Sequence, residues 1–195
     1  MLKIDNFGQF FNSFCQKYPA ILYIIRWFFF SSVVGILVGS ASAGFLISLD
    51  WVTNFRENHL WLIALLPIGG FLIGLLYYYF GKDVEAGNNL LIDTLHHPNA
   101  TIIPLRMAIF VYIGTITTHF FGGSAGREGT ALQMAGGIVD QLNKYLKLNQ
   151  SDRKILIISA ISAGFGSVFG TPLAGAIFGL EFFLIGRIRY DAIFP

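Results

Sequence analysis

Charge is scarce in this chain. Only 12% of its 195 residues are charged, against 54% that are hydrophobic, whereas a soluble domain carries roughly a quarter charged residues. Water as the main solvent is thereby excluded. The formal net charge is +2, from 13 basic and 11 acidic residues, and its scatter along the chain excludes a nucleic-acid surface. Cysteine is nearly absent as well: Cys15 stands alone, which leaves neither a disulfide framework nor a cysteine metal site within one chain. No motif recurs at a fixed period, and neither a low-complexity segment nor a second, soluble domain is visible.

Long uncharged apolar runs are what the sequence does have. A transmembrane helix needs about 20 predominantly apolar residues, and Trp27–Leu49, Asn58–Gly81, Met107–Gly126 and Ile155–Leu180 each reach that length. The reading is an all-α membrane protein. The first run is too long for a cleavable signal peptide, so the N-terminus is expected to be retained. Before it, Ile4, Phe7, Phe11 and Phe14 fall on one helical face and Asn6, Gln9, Asn12, Ser13 and Gln16 on the other. That pattern predicts an amphipathic interfacial helix over residues 1–17, ahead of a membrane-embedded domain over 18–195. Lys3, Lys17 and Arg26 precede the first span, while Asp50, Arg56 and Glu57 follow it, which places the N-terminus in the cytoplasm.

Small residues four apart let helix backbones approach closely in a membrane. Gly35, Gly39 and Ala43, Gly70 with Gly74, Gly166 with Gly170, and Gly175 with Gly179 together predict a tightly packed bundle. The segment Asp140 to Lys154, with Lys144, Lys147 and Arg153, reads as a polar connector outside the hydrocarbon, and Ser151 with Asp152 as the cap of the helix that follows. The stop at Pro195, just after Ile193 and Phe194, reads as a truncation.

Two stretches break the pattern of one apolar run per span. Lys82 to Asn99 is polar and turn-rich, and Phe121 to Thr130 sets glycines around Arg127 and Glu128 beside an apolar run. Irregular backbone at membrane depth survives only where it is buried or lines a polar cavity, and an ionisable residue there usually marks an ion or proton pathway. A helix starting near Thr130 would aim unpaired N–H groups and its positive dipole end at the same place, which attracts anions. A carboxylate at that place competes with an anion and releases the site on protonation. The plainer alternative is a structural Arg127–Glu128 ion pair at a membrane surface. His96, His97 and His119 lack metal-ligand partners at helical spacing, so they read as satisfied polar residues.

The run Gly126-Arg127-Glu128-Gly129-Thr130-Ala131-Leu132-Gln133-Met134 resembles the G-[KR]-E-G-[PTS] motif of the CLC chloride channels and proton-coupled antiporters. Ser162-Ala163-Gly164 through Phe169-Gly170-Thr171-Pro172-Leu173-Ala174-Gly175 to Glu181 is similar to the same family's A-A-G-x-A-x-x-F-x-A-P-L-[AG]-G-x-x-F-x-x-E segment; on its residues alone, Pro172 interrupts the apolar run and predicts a broken helix in a bundle. The resemblance implies the N-terminal inverted-repeat half of the CLC fold, with broken and re-entrant helices. It makes Glu128 the external, proton-coupled gate, and Gly126, Arg127, Gly129 and Thr130 part of the anion-binding set.

A third match is looser. Where the family's chloride transporters have G-S-G-I-P, this chain reads Gly87-Asn88-Asn89-Leu90-Leu91, so Asn88 replaces the serine that touches the anion. An amide still donates hydrogen bonds, although Gly and Asn also suit a plain turn or helix cap. This variation, with G-R-E-G-T, resembles the branch that exchanges fluoride for protons; a chloride channel or chloride/proton antiporter is the alternative. Glu181 is followed by Phe182, so the second acid of the family's internal proton path is missing, and Glu181 is left as a candidate for proton delivery or as a packing residue.

The resemblance implies halide and proton as the transported species, no cofactor, and a bacterial inner membrane as the setting. It also implies dependence on a second half, which would carry G-x-F-x-P and a closing tyrosine, or on a homodimer partner. An inactive membrane fragment is a further alternative. A membrane-embedded enzyme using Glu128 as base would need a nucleophile or metal cluster beside it, and none is found.

Overall fold

A computed structural model describes residues 19–96, 102–146 and 148–182, and these are helices joined by loops, with no strand among them. The interfacial helix expected over residues 1–17, His97, Lys147 and the basic pair Arg187 and Arg189 lie outside the described residues.

The first helix, α1 (Pro19–Glu57), runs through 39 residues, about 58 Å at 1.5 Å per residue, and so outruns the expected span Trp27–Leu49 at both ends. Trp27, Val34, Val38, Phe45, Leu49 and Val52 are buried, three, four or seven residues apart. That spacing lays one stripe against the protein. Ile24, Phe28, Phe29, Ile36, Ile47 and Trp51 are exposed, an apolar surface that only lipid or another apolar body would cover. A 3-10 turn at Leu60–Leu65 leads into α2 (Leu66–Phe80), with Pro67 in its first turn. Proline there lacks only an N–H that has no helical partner anyway.

The interior elements are short. They are α3 (Asn88–His96), α4 (Leu105–Phe120), α5 (Arg127–Val139), the single turn α6 (Leu142–Leu146), α7 (Gln150–Phe169) and α8 (Pro172–Glu181). The centre of the bundle is α7, which packs against α1, α5 and α8, while α4 covers another side of α5. Eight of the 13 residues of α5 are buried. At about 20 Å it is too short to cross a hydrocarbon core of about 30 Å, so a helix terminus falls within the bundle.

The apolar run Ile155–Leu180 is not one span. Gly170 ends α7 in the left-handed region at φ 67, Pro172 opens α8, and the chain doubles back. The two helices approach until Phe165 and Phe178 stack with centroids 4.0 Å apart and Gly179 leaves no room for a β-carbon beside Ser162 Oγ. Of the small-residue pairs, Gly175 and Gly179 therefore work as predicted, with Gly166 facing them. A β-carbon on Gly35, Gly39, Gly70, Gly74 or Gly170 would meet nothing within 4 Å. Gly35 and Gly39 instead line a cavity of about 640 Å³ between α1, α7 and α8.

The stretch Asp140–Lys154, read as a polar connector, is exposed at residues 144–146 and 149–151 but buries a charge pair at its ends. Asp140 is wholly buried and Arg153 nearly so, joined through Arg153 Nε to Asp140 Oδ1 at 2.8 Å and Nη2 to Oδ2 at 2.6 Å. Asp140 also accepts from the Ile103 N–H at 2.8 Å, and Gln141 donates to the Ile103 carbonyl at 2.6 Å. Polarity of the sequence signalled exposure; a charge pair satisfied by its own geometry needs none. The cap of α7 also shifts: Asn149, not Ser151, is the N-cap and accepts from the Asp152 N–H at 2.8 Å. Asp152 in turn binds Arg26 of α1 at 2.6 Å.

Candidate functional site

Glycine shapes the approach to Glu128. After α4 ends at Phe120, Gly122 adopts φ 84, a conformation open mainly to glycine, and its N–H donates to the His119 carbonyl at 3.1 Å. Gly123 donates to the Thr118 carbonyl at 2.8 Å. The Phe121 ring fills the space over Gly69 of α2. His119 Nε2 then meets the Ala125 carbonyl at 3.0 Å, and Arg56 of α1 donates to the His119 carbonyl at 3.3 Å. The loop is thus fixed to α1, α2 and α4 before α5 starts.

Gly126 is the N-cap of α5, extended at φ −69 and ψ 127, and no side chain caps the helix. The helix starts at Arg127, three residues earlier than the expected Thr130. Glu128 consequently sits within the first turn, among N–H groups that have no helical acceptors. Its carboxylate turns back, with Oε2 3.1 Å from where a β-carbon on Gly126 would lie. Glu128 and Arg127 are both exposed, and among the described residues no ion pair joins them. The structural-pair alternative therefore finds no contact to rest on.

The start of α3 reaches the same place. Asn88, the first residue of α3, places its amide nitrogen 3.4 Å from the β-position of Gly129. Its Oδ1 is buried with no hydrogen-bond partner, in a protein interior where such atoms are normally satisfied. Gly87, at φ 56, brings the turn before Asn88 against the Gln133 amide, whose Nε2 lies 3.3 Å from the β-position of Gly87. One turn further, Leu91 packs into the gap left by Gly136. Two helix N-termini thus lie beside each other, with Asn88, Gly126, Glu128 and Gly129 brought together.

Thr130 is placed differently. Its hydroxyl is buried between α4 and α5, bonded to Thr115 Oγ1 at 2.7 Å and donating to the Gly126 carbonyl at 3.0 Å. Its side chain holds the first turn of α5 together, and only its backbone N–H is near the helix start. Glu181 is the exposed last residue of α8. Among the described residues, no group of three or more His, Cys, Asp and Glu converges as a metal site. Gln133 and His119 are the neighbours that sequence reading did not assign to the site; Gln133 stood inside the quoted motif, five residues after Glu128, but pattern alone does not show which face α3 covers.

Comparison with known proteins is consistent with this geometry. Residues 69–195 match the model of the family described as voltage gated chloride channel. A chloride/fluoride channel protein of Pseudomonas syringae pv. tomato is 56% identical over 180 residues, covering 92% of this chain and 40% of that protein. An H(+)/Cl(-) exchange transporter of Salmonella schwarzengrund is 26% identical over 178 residues, covering 85% of this chain and 37% of its own length. The crystal structure of a CLC-type fluoride/proton antiporter superposes with a TM-score of 0.81 at 36% identity, over 87% of this chain and 42% of the other. The chain spans about two-fifths of the length of these relatives. Its helical fold is that of the antiporter over the shared part, which bears out the expected half of the CLC architecture. With a family match across most of its length and this fold, the chain is an integral membrane protein and belongs to the voltage gated chloride channel family.

Proposed function

We propose that this chain supplies the gated half of a halide pathway, exchanging fluoride for protons across a bacterial inner membrane, with its N-terminus in the cytoplasm. The observation that carries the proposal is the meeting of Asn88 with the first turn of α5, where Glu128 sits. The free N–H groups of that turn and the Asn88 amide are donors for an anion. Fluoride is small and strongly hydrated, so several closely set donors are needed to replace its water.

Glu128 is the competing anion. As a carboxylate it occupies the donors, and on protonation it releases them, so proton and halide use the site by turns. Asn88 suits both states: Nδ2 donates toward an anion, and the unpartnered Oδ1 accepts from a protonated group. Gly126, Arg127 and Gly129 contribute backbone N–H groups that have no helical acceptor, Thr130 braces their turn through its hydroxyl, Arg127 adds long-range positive charge, and Glu181 stands at the end of α8 as a candidate for proton delivery. The chain works with a companion that completes the pathway, a second CLC half or another copy of itself, and its role is transport rather than catalysis.

The test is ion efflux from liposomes holding the chain alone, or together with the remaining three-fifths of the Pseudomonas relative as a separate polypeptide. Fluoride efflux coupled to proton uptake is expected in the second case, with the coupling lost in Glu128→Ala. Coupling that ignores Glu128, or no efflux in either case, would sink the proposal.

A further inference from the structure

We propose that His119 is a positioning residue for the anion site, holding the Ala125–Gly126 peptide so that the Gly126 N–H faces away from α4, toward the Glu128 carboxylate. The inference rests on the reading that the start of α5 receives a halide.

The argument begins with the bond between His119 Nε2 and the Ala125 carbonyl, 3.0 Å long. A carbonyl oxygen only accepts, so Nε2 must carry the hydrogen. The backbone that carries the ring is anchored. His119 belongs to the last turn of α4, and its backbone carbonyl takes hydrogen bonds from Arg56 at 3.3 Å and from the Gly122 N–H at 3.1 Å.

In a trans peptide the C=O and the following N–H point in opposite directions across one rigid plane, and no cis bond occurs among the described residues. Pulling the Ala125 carbonyl toward α4 therefore turns the Gly126 N–H to the other side. That N–H donates to no carbonyl among the described residues, and Glu128 Oε2 lies 3.1 Å from the β-position of the same residue.

The alternative orientation is close at hand. Flipping this peptide by half a turn moves the Gly126 φ from −69 into the positive region, which glycine alone enters freely. A flipped peptide presents the Ala125 oxygen to the anion in place of an N–H, converting an attraction into a repulsion. Glycine at 126 makes both faces accessible, and the His119 bond selects one.

Three substitutions separate this role from mere packing. The Gln Nε2 occupies nearly the same reach as the histidine Nε2, whereas the Asn Nδ2 falls at the histidine Nδ1 position and stops short of the carbonyl. The measurement is fluorine NMR line broadening of sodium fluoride by the full chain together with its complementary part in lipid nanodiscs, for the wild type, His119→Gln, His119→Asn and Asn88→Ala. His119→Gln is expected within about twofold of the wild-type affinity and His119→Asn about tenfold weaker, the effect of losing one well-placed donor. Equal weakening by Gln and Asn, or no weakening by Asn while Asn88→Ala still weakens binding, would overturn the role of His119 and leave the anion site standing. Absence of binding by the wild type, or indifference to Asn88→Ala, would overturn the site and this inference together.

Discussion

Arg153, in the first turn of α7, binds Asp140 at the end of α5 through two hydrogen bonds of 2.8 and 2.6 Å, with both side chains buried. The pair ties the far end of α5 to the central helix of the bundle. Through Asp140 it also holds the Ile103 N–H, just ahead of α4, so three elements meet at one carboxylate.

Breaking that pair from one side leaves a charge buried without its partner, which costs about 3–5 kcal/mol. Asp140→Leu and Arg153→Met are each expected to lower stability by that amount in detergent unfolding followed by circular dichroism. The double variant is expected to recover part of the loss. It would still fall short of the wild type, because the Ile103 N–H stays orphaned at about 1–3 kcal/mol. Single variants within 1 kcal/mol of the wild type would mean that water reaches the pair.

Glycines that look alike in sequence are expected to respond differently. A β-carbon on Gly175 would lie 2.5 Å from the Ser162 carbonyl, and one on Gly179 would collide with Ser162 Oγ. Gly175→Ala and Gly179→Ala must therefore pry α8 from α7, at about 1–3 kcal/mol. Gly70→Ala and Gly74→Ala meet open space and gain helix propensity, up to about 1 kcal/mol. Thermal unfolding of the four variants decides the matter, and a uniform response would contradict the hairpin packing.

How legible was this arrangement? Apolar runs announced α1 and α2 because lipid-facing helices must be apolar over a membrane's width, and the Gly-Arg-Glu-Gly-Thr motif announced the helix start because glycine-freed backbone and an acid beside an apolar run seldom coincide by chance. Composition does not distinguish one long span from two short helices that turn back: Pro172 announced a break within Ile155–Leu180, but not that α8 would fold back onto α7 after the left-handed Gly170. It does not distinguish exposed charges from buried charges that satisfy one another, so the burial of Asp140 and Arg153 within a polar connector was not legible. The cradle around Asn88 and Gly129 is a tertiary contact between segments some 40 residues apart, and only the motif resemblance had linked them.

Neutralising Glu128 without changing its shape separates the two roles proposed for it. Glu128→Gln mimics the protonated acid, cannot occupy the donors as an anion, and carries no proton. In liposomes holding the chain with its complementary part, fluoride flux is expected to persist while its coupling to protons disappears. The readout is fluoride efflux alongside proton uptake. Retained coupling would move the proton carrier elsewhere, with Glu181 the next residue to change.

Asn88 is the place where anion preference is expected to be set. Its amide carries two N–H donors and lies 3.4 Å from the β-position of Gly129, whereas a serine at 88 would present one shorter hydroxyl farther from α5. Fluoride holds its water more tightly than chloride, so the loss of one donor penalises fluoride more. Asn88→Ser is expected to weaken fluoride binding about tenfold, the equivalent of about 1.4 kcal/mol, and to leave chloride binding within about threefold. Competition between the two anions, followed by fluorine NMR, gives the ratio directly. An unchanged ratio would assign the preference to the α5 backbone, whose donors are the same whatever side chain stands at position 88.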